Sequence, residues 1–130
     1  MGKRAADRVR CSQCSGRFDE MKTIDVVLEA DSITDWVTFH ESSQAIFGFP
    51  DFYGSNLDAW IDCLSYLDND DRMSRFHLSR GEILNITLLN SASLKQRAPE
   101  IFDAFVECVT VVNQRYFDRN SPVRITLTFL

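Results

Sequence analysis

Apolar and polar positions along the chain alternate in short periodic segments separated by polar breaks, and each segment predicts an element. Thr23–Glu29 is brief, β-branched and roughly alternating, as a strand should be. Ser32 can cap a following helix with Asp35 answering it, and Trp36, Val37, Phe39, Ile46 and Phe47 then recur at near-helical spacing. That helix should stop at Gly48 and Pro50. After a loop over 51–55, Asn56 is a good cap for a second helix running to about Leu67, with Leu57, Trp60, Ile61, Leu64 and Leu67 along one apolar stripe. A long polar connection reaches Gly81, and Ile83–Leu89 reads as a buried strand. Ser91–Arg97 suits a short helical turn. Pro99 then opens a helix to about Phe117, whose stripe is Ile101, Phe102, Phe105, Val106, Val109 and Val112. Val123–Leu130 alternates cleanly as a last strand.

This order of elements predicts an α/β fold, a small three-stranded and mainly parallel sheet packed with three to four helices. Residues 1–20 carry no periodicity and read as a loose basic arm ahead of one domain over 21–130. With 45% apolar and 12% aromatic residues, the chain has the means to build a core. No stretch approaches the roughly 20 uncharged apolar residues of a membrane span, and no apolar run follows the basic start. A cytoplasmic protein is the expectation.

Charge changes the picture more than composition does. Residues 1–20 are +2 and the rest is −7, which together give the net −5. From Asp51 to Asp71 there are six aspartates (Asp51, Asp58, Asp62, Asp68, Asp70, Asp71) and no Lys or Arg. An acidic body grips phosphates poorly and attracts basic partners, so direct nucleic-acid binding is not expected. Asp58 and Asp62 stand one helical turn apart, away from the apolar stripe, with Tyr66 a turn further on. Such a face is either simply solvated or an interaction surface. Phe52, Tyr53 and Tyr66 beside the acids favour the second, because aromatic groups next to charge are common at interface hot spots. Carboxylates placed this way accept paired hydrogen bonds from arginine, as RNA phosphates do.

Enzymatic chemistry finds little support in the residues. The five glycines never form a phosphate-binding loop, and there is no nucleophile flanked by an identifiable base. His40 and His77 read as structural or solvated histidines. Asp58 and Asp62 share a convex helix face, whereas paired acid–base carboxylates must face each other across a cleft. Cys11 and Cys14 have the spacing of half a zinc knuckle or of a redox pair, but Cys63 and Cys108 sit in core-like segments, so free thiols are expected and neither metal nor cofactor is predicted.

Residues 50–64, reading Pro-Asp-Phe-Tyr-Gly-Ser-Asn-Leu-Asp-Ala-Trp-Ile-Asp-Cys-Leu, closely resemble the signature segment of the barstar family, intracellular inhibitors of small ribonucleases. The likeness extends more weakly to Ser32–Asp35 and to the closing strand around Ile125–Leu127, and the predicted element order agrees with the family's fold. The resemblance implies a protein without enzymatic activity that plugs the active site of a basic ribonuclease in a one-to-one complex. It further implies that Asp62 enters the enzyme's phosphate site, with Asp58 its partner one turn earlier. Phe52, Tyr53, Gly54 and Asn56 fall in the contact loop, and Glu107 falls near a further acidic contact from the last long helix. Phe52 stands where the family usually has a tyrosine, Trp60-Ile61 reverses the usual order, and Tyr66-Leu67 replaces a Gly-Trp. These departures bear on which ribonuclease is the target, including a toxin against which this chain would confer immunity. The alternative is a barstar-like fold used as an interaction or regulatory module without nuclease inhibition.

Overall fold

The computed structural model describes residues 22–69 and 73–130. The stretch read as an arm, Cys11 and Cys14 within it, and Asp70 and Asp71 of the polar connection lie outside the described residues. Alternating aliphatic positions form three strands, β1 (Lys22–Glu29), β2 (Glu82–Leu89) and β3 (Arg124–Phe129), all parallel and in that order across the sheet. Val26 lies opposite Ile86, and Ile86 opposite Leu127. The period of two therefore turns Val26, Leu28, Leu84, Ile86, Leu88 and Ile125 to one face, where they are buried. The other face is polar at its centre. Asn85 Nδ2 donates to Asp25 and to Thr87, both at 3.2 Å, while Thr126 and Thr128 hydroxyls donate to Asn85 Oδ1 at 2.8 and 3.0 Å.

Four helices complete the α/β fold: α1 (Trp36–Phe47), α2 (Leu57–Leu64), α3 (Ser91–Arg97) and α4 (Pro99–Asp118). Three aromatic rings converge on Trp60 of α2 and lock it between α1 and α4. Phe39 lies 6.1 Å, Phe47 6.0 Å and Phe105 5.9 Å from it, centroid to centroid. Pro99 occupies the start of α4, as its fixed φ and missing N–H favour.

Two helix ends differ from the expectation. Asp35, not Ser32, caps α1: its carboxylate accepts the Thr38 N–H at 2.9 Å, and the Thr38 hydroxyl oxygen accepts the Asp35 N–H at 3.0 Å. Ser32 instead closes a 3₁₀ turn over Ala30–Ser32. Arg97 holds that turn in place by donating to the carbonyls of Ala30 (3.1 Å) and Ile33 (3.0 Å). With the start displaced, Trp36 and Val37 fall on the exposed side, and the buried face is Phe39, His40, Ser43 and Phe47. Helix α2 stops at Leu64 rather than Leu67. The buried Tyr116 hydroxyl donates to the Leu64 carbonyl at 2.6 Å and accepts the Leu67 N–H at 2.9 Å, taking both groups out of a helical ladder.

Candidate protein-interaction site

The loop before α2 is built from the inside. Gly48 ends α1 in the left-handed region (φ 68°), and the Pro50 carbonyl accepts the Tyr53 N–H at 2.9 Å. Tyr53 points inward, with its ring 4.8 Å from that of Phe49 and its hydroxyl 2.5 Å from His40 Nδ1. Burial pushes the Tyr53 phenol up and holds the His40 imidazole below its ordinary range. Tyr53, expected from sequence as a contact aromatic, is 8% exposed and anchors the loop from beneath. Its neighbour is consequently thrown outward, and Phe52 is 76% exposed. His40, read as structural, is the anchor's partner. His77 is exposed.

Asn56 turns the loop into the helix. Its side-chain oxygen accepts the Ala59 N–H at 2.8 Å, and its amide nitrogen donates back to the Gly54 carbonyl at 3.3 Å. A Cβ at Gly54 would sit 3.1 Å from that same amide nitrogen, so the close approach favours glycine. Asn56 and Gly54 are exposed but primarily organise the turn that aims α2.

Helix α2 buries Trp60, Cys63 and Leu64 and leaves Asp58 and Asp62 outward. Leu57 and Ile61 are half-buried and floor a groove of about 240 Å³ against Ala104 and Val111 of α4. Asp58 and Glu107 line this groove, so the structure brings together two acids 49 positions apart in sequence. Cys108 beneath them senses both. Burial first, then the Glu107 and Asp58 charges, push its thiol up to about 11. Burial and the Asp62 charge do the same for Cys63, to about 11, which leaves both as protonated core thiols.

Asp62 differs from Asp58 in a way the sequence did not reveal. Arg115 of α4 donates from Nη1 to Asp62 Oδ1 at 2.7 Å and, more weakly, to the Ser65 hydroxyl at 3.4 Å. One turn on, Arg119 donates to the Ser65 carbonyl and to Asp68 (3.2 Å), and its guanidinium lies 4.7 Å from the Tyr116 ring and 5.8 Å from that of Tyr66. Tyr66 is therefore a half-covered edge rather than a bare aromatic. The anionic surface is open at Asp58 and Glu107 and matched by the chain's own cations at Asp62 and Asp68. The only sequence signal for this was a pair of arginines four apart near the end of a helix.

Among the described residues, no group of three or more His, Cys, Asp and Glu side chains could hold a metal ion, and no helix is long and apolar enough to cross a membrane. Chemically, the site offers carboxylate acceptors, an exposed phenyl ring and a shallow apolar groove, which suits recognition of a cationic protein surface. No curated protein matches the chain significantly. A family model described as Barstar (barnase inhibitor) matches residues 23–128, from β1 into β3, and with the signature loop and α2 in place the chain belongs to the barstar family.

Proposed function

We propose that this chain inhibits a basic ribonuclease in a one-to-one complex, presenting the α2 carboxylates and the preceding loop where RNA phosphates would lie. The observation that carries this reading is the placement of Asp58 and Glu107 along one groove, with Asp62 a turn away and Phe52 projecting from the loop above. Arginines of a phosphate site can meet such carboxylates in paired hydrogen bonds. The acidic body, −7 over residues 21–130, speeds the approach of a basic partner. Membership of a family described as barnase inhibitors supports the same role. On this reading the chain acts in the cytoplasm, has no enzymatic activity, needs no cofactor and does not itself bind nucleic acid.

Wild type and the Asp58→Ala/Asp62→Ala double variant, used as parallel baits for basic proteins of the source cell, test the proposal. Inhibition of one captured ribonuclease at equal molar ratio by wild type, lost in the double variant, is the expected result. Loss of about 3–5 kcal/mol is expected for Asp62→Ala alone if it leaves partner cations buried and unpaired. Equal capture by both baits, with RNA cleavage undisturbed, refutes inhibition. It would favour instead an interaction module that does not use the acids, a reading to which the internal pairing of Asp62 with Arg115 lends weight.

A further inference from the structure

Asp62 is held by a cation of its own chain, and the way it is held sets Arg115 apart from Arg119. Arg119 is built in: it bonds a backbone carbonyl as well as Asp68, and it lies on two tyrosine rings. Arg115 has only a single-oxygen contact to Asp62 and a 3.4 Å contact to a hydroxyl, and its side chain and that of Asp62 are 43% and 53% exposed. An ion pair so open to water is easily exchanged. A partner's guanidinium seeking Asp62 must compete with Arg115 for the same carboxylate, and on docking it also brings like charge up to Arg115.

We propose that Arg115 is an internal competitor for the partner's cations, a gate on Asp62 that lowers affinity for uniformly basic surfaces and so narrows the choice of ribonuclease. The proposal rests on the inhibitor reading above. It requires Arg115 to swing away from Asp62, or to find an acceptor on the partner, whenever Asp62 is engaged. Asp58, with Glu107 beside it, carries no such contact among the described residues, and the first encounter is therefore expected at the α2 amino-terminal half.

Inhibition of barnase, as a defined basic ribonuclease, tests the gate in the full chain at low and high salt. Arg115→Ala is expected to inhibit about fivefold to tenfold more tightly than wild type, from removal of the exposed competing pair and of a like charge facing the enzyme. The gain should shrink as salt rises, and when Asp62→Ala is added only the part due to the like charge should remain, while Arg115→Lys should stay near wild type. Thermal unfolding of each variant confirms that the fold is kept. Unchanged or weaker inhibition by Arg115→Ala, including none by either chain, overturns the gate. If wild type inhibits a captured ribonuclease and Arg115→Ala is no better on barnase, only the gate fails; if neither inhibits any ribonuclease, the inhibitor reading fails with it.

Discussion

Replacing Tyr116 by Phe removes one oxygen and should cost more than any surface change near the site. That hydroxyl bridges the two ends of the turn after α2, donating to the Leu64 carbonyl at 2.6 Å and accepting the Leu67 N–H at 2.9 Å. Tyr116 and Leu64 are wholly buried and Leu67 is 1% exposed, so solvent does not reach the groups left behind. The space vacated by an oxygen atom is also smaller than the roughly 30 Å³ a water occupies. Each stranded backbone group costs about 1–3 kcal/mol, which places the loss at about 2–6 kcal/mol for the pair. For a domain of this size that is roughly 10–30 °C in Tm. Urea unfolding followed by the fluorescence of Trp36 and Trp60 reads the change in midpoint, with an unchanged m-value as the check that the denatured state is the same. Tyr66→Phe, which alters a more exposed ring, serves as a control and should stay within about 0.5 kcal/mol. A loss under about 1 kcal/mol for Tyr116→Phe would refute the view that this hydroxyl terminates α2. Since Asp62 and Ser65 lie on the same turn, the variant should also loosen the Arg115 contact.

Two further outcomes follow from the loop and its anchor. Gly48→Ala should destabilise by about 2 kcal/mol, because φ is +68° and an added Cβ would lie 2.8 Å from Arg75 Cβ, an atom too near its backbone to yield; a thermal shift below about 3 °C would contradict this. Burial lowers the His40 pKa from its ordinary 6.5, so between that value and the folded one the unfolded chain binds more protons. Stability should therefore be full above pH 6.5 and fall as pH drops through that window, with a slope that His40→Gln reduces. Equal slopes in both proteins, measured as Tm from about pH 7.5 to 5, would remove His40 as the cause.

Legibility in the sequence followed how local each determinant was. Asn56 as a cap, Pro99 as a helix start and the three alternating strands depend on neighbours within a few residues, and all stand where the pattern placed them. The pattern placed Ser32 as the cap with Asp35 answering it. Arg97, more than 60 positions away in the chain, instead holds the turn that Ser32 closes by taking the carbonyls of Ala30 and Ile33. The end of α2 depends in the same way on Tyr116, and the inward turn of Tyr53 on His40. At the candidate site, the outward placement of Asp58 and Asp62 could be read from the helical period alone. The approach of Glu107 to Asp58 was suggested only by resemblance, and the pairing of Asp62 with Arg115 spans 53 positions without a local signature.

Asn85 sits at the middle of the middle strand, and its amide touches both neighbouring strands on the polar side of the sheet. A slip of β1 or β3 by one residue would set an aliphatic side chain against that amide and turn Asp25 or Thr126 toward the core, so a single side chain proofreads the alignment of both pairings. The same amide makes the sheet an unrewarding platform for a second sheet to stack on, since the dry contact needed would strip water from Asp25, Asn85 and the threonines at once. The polar centre on the side of the sheet away from the helices that bear the charged surface thus works against self-association through that face.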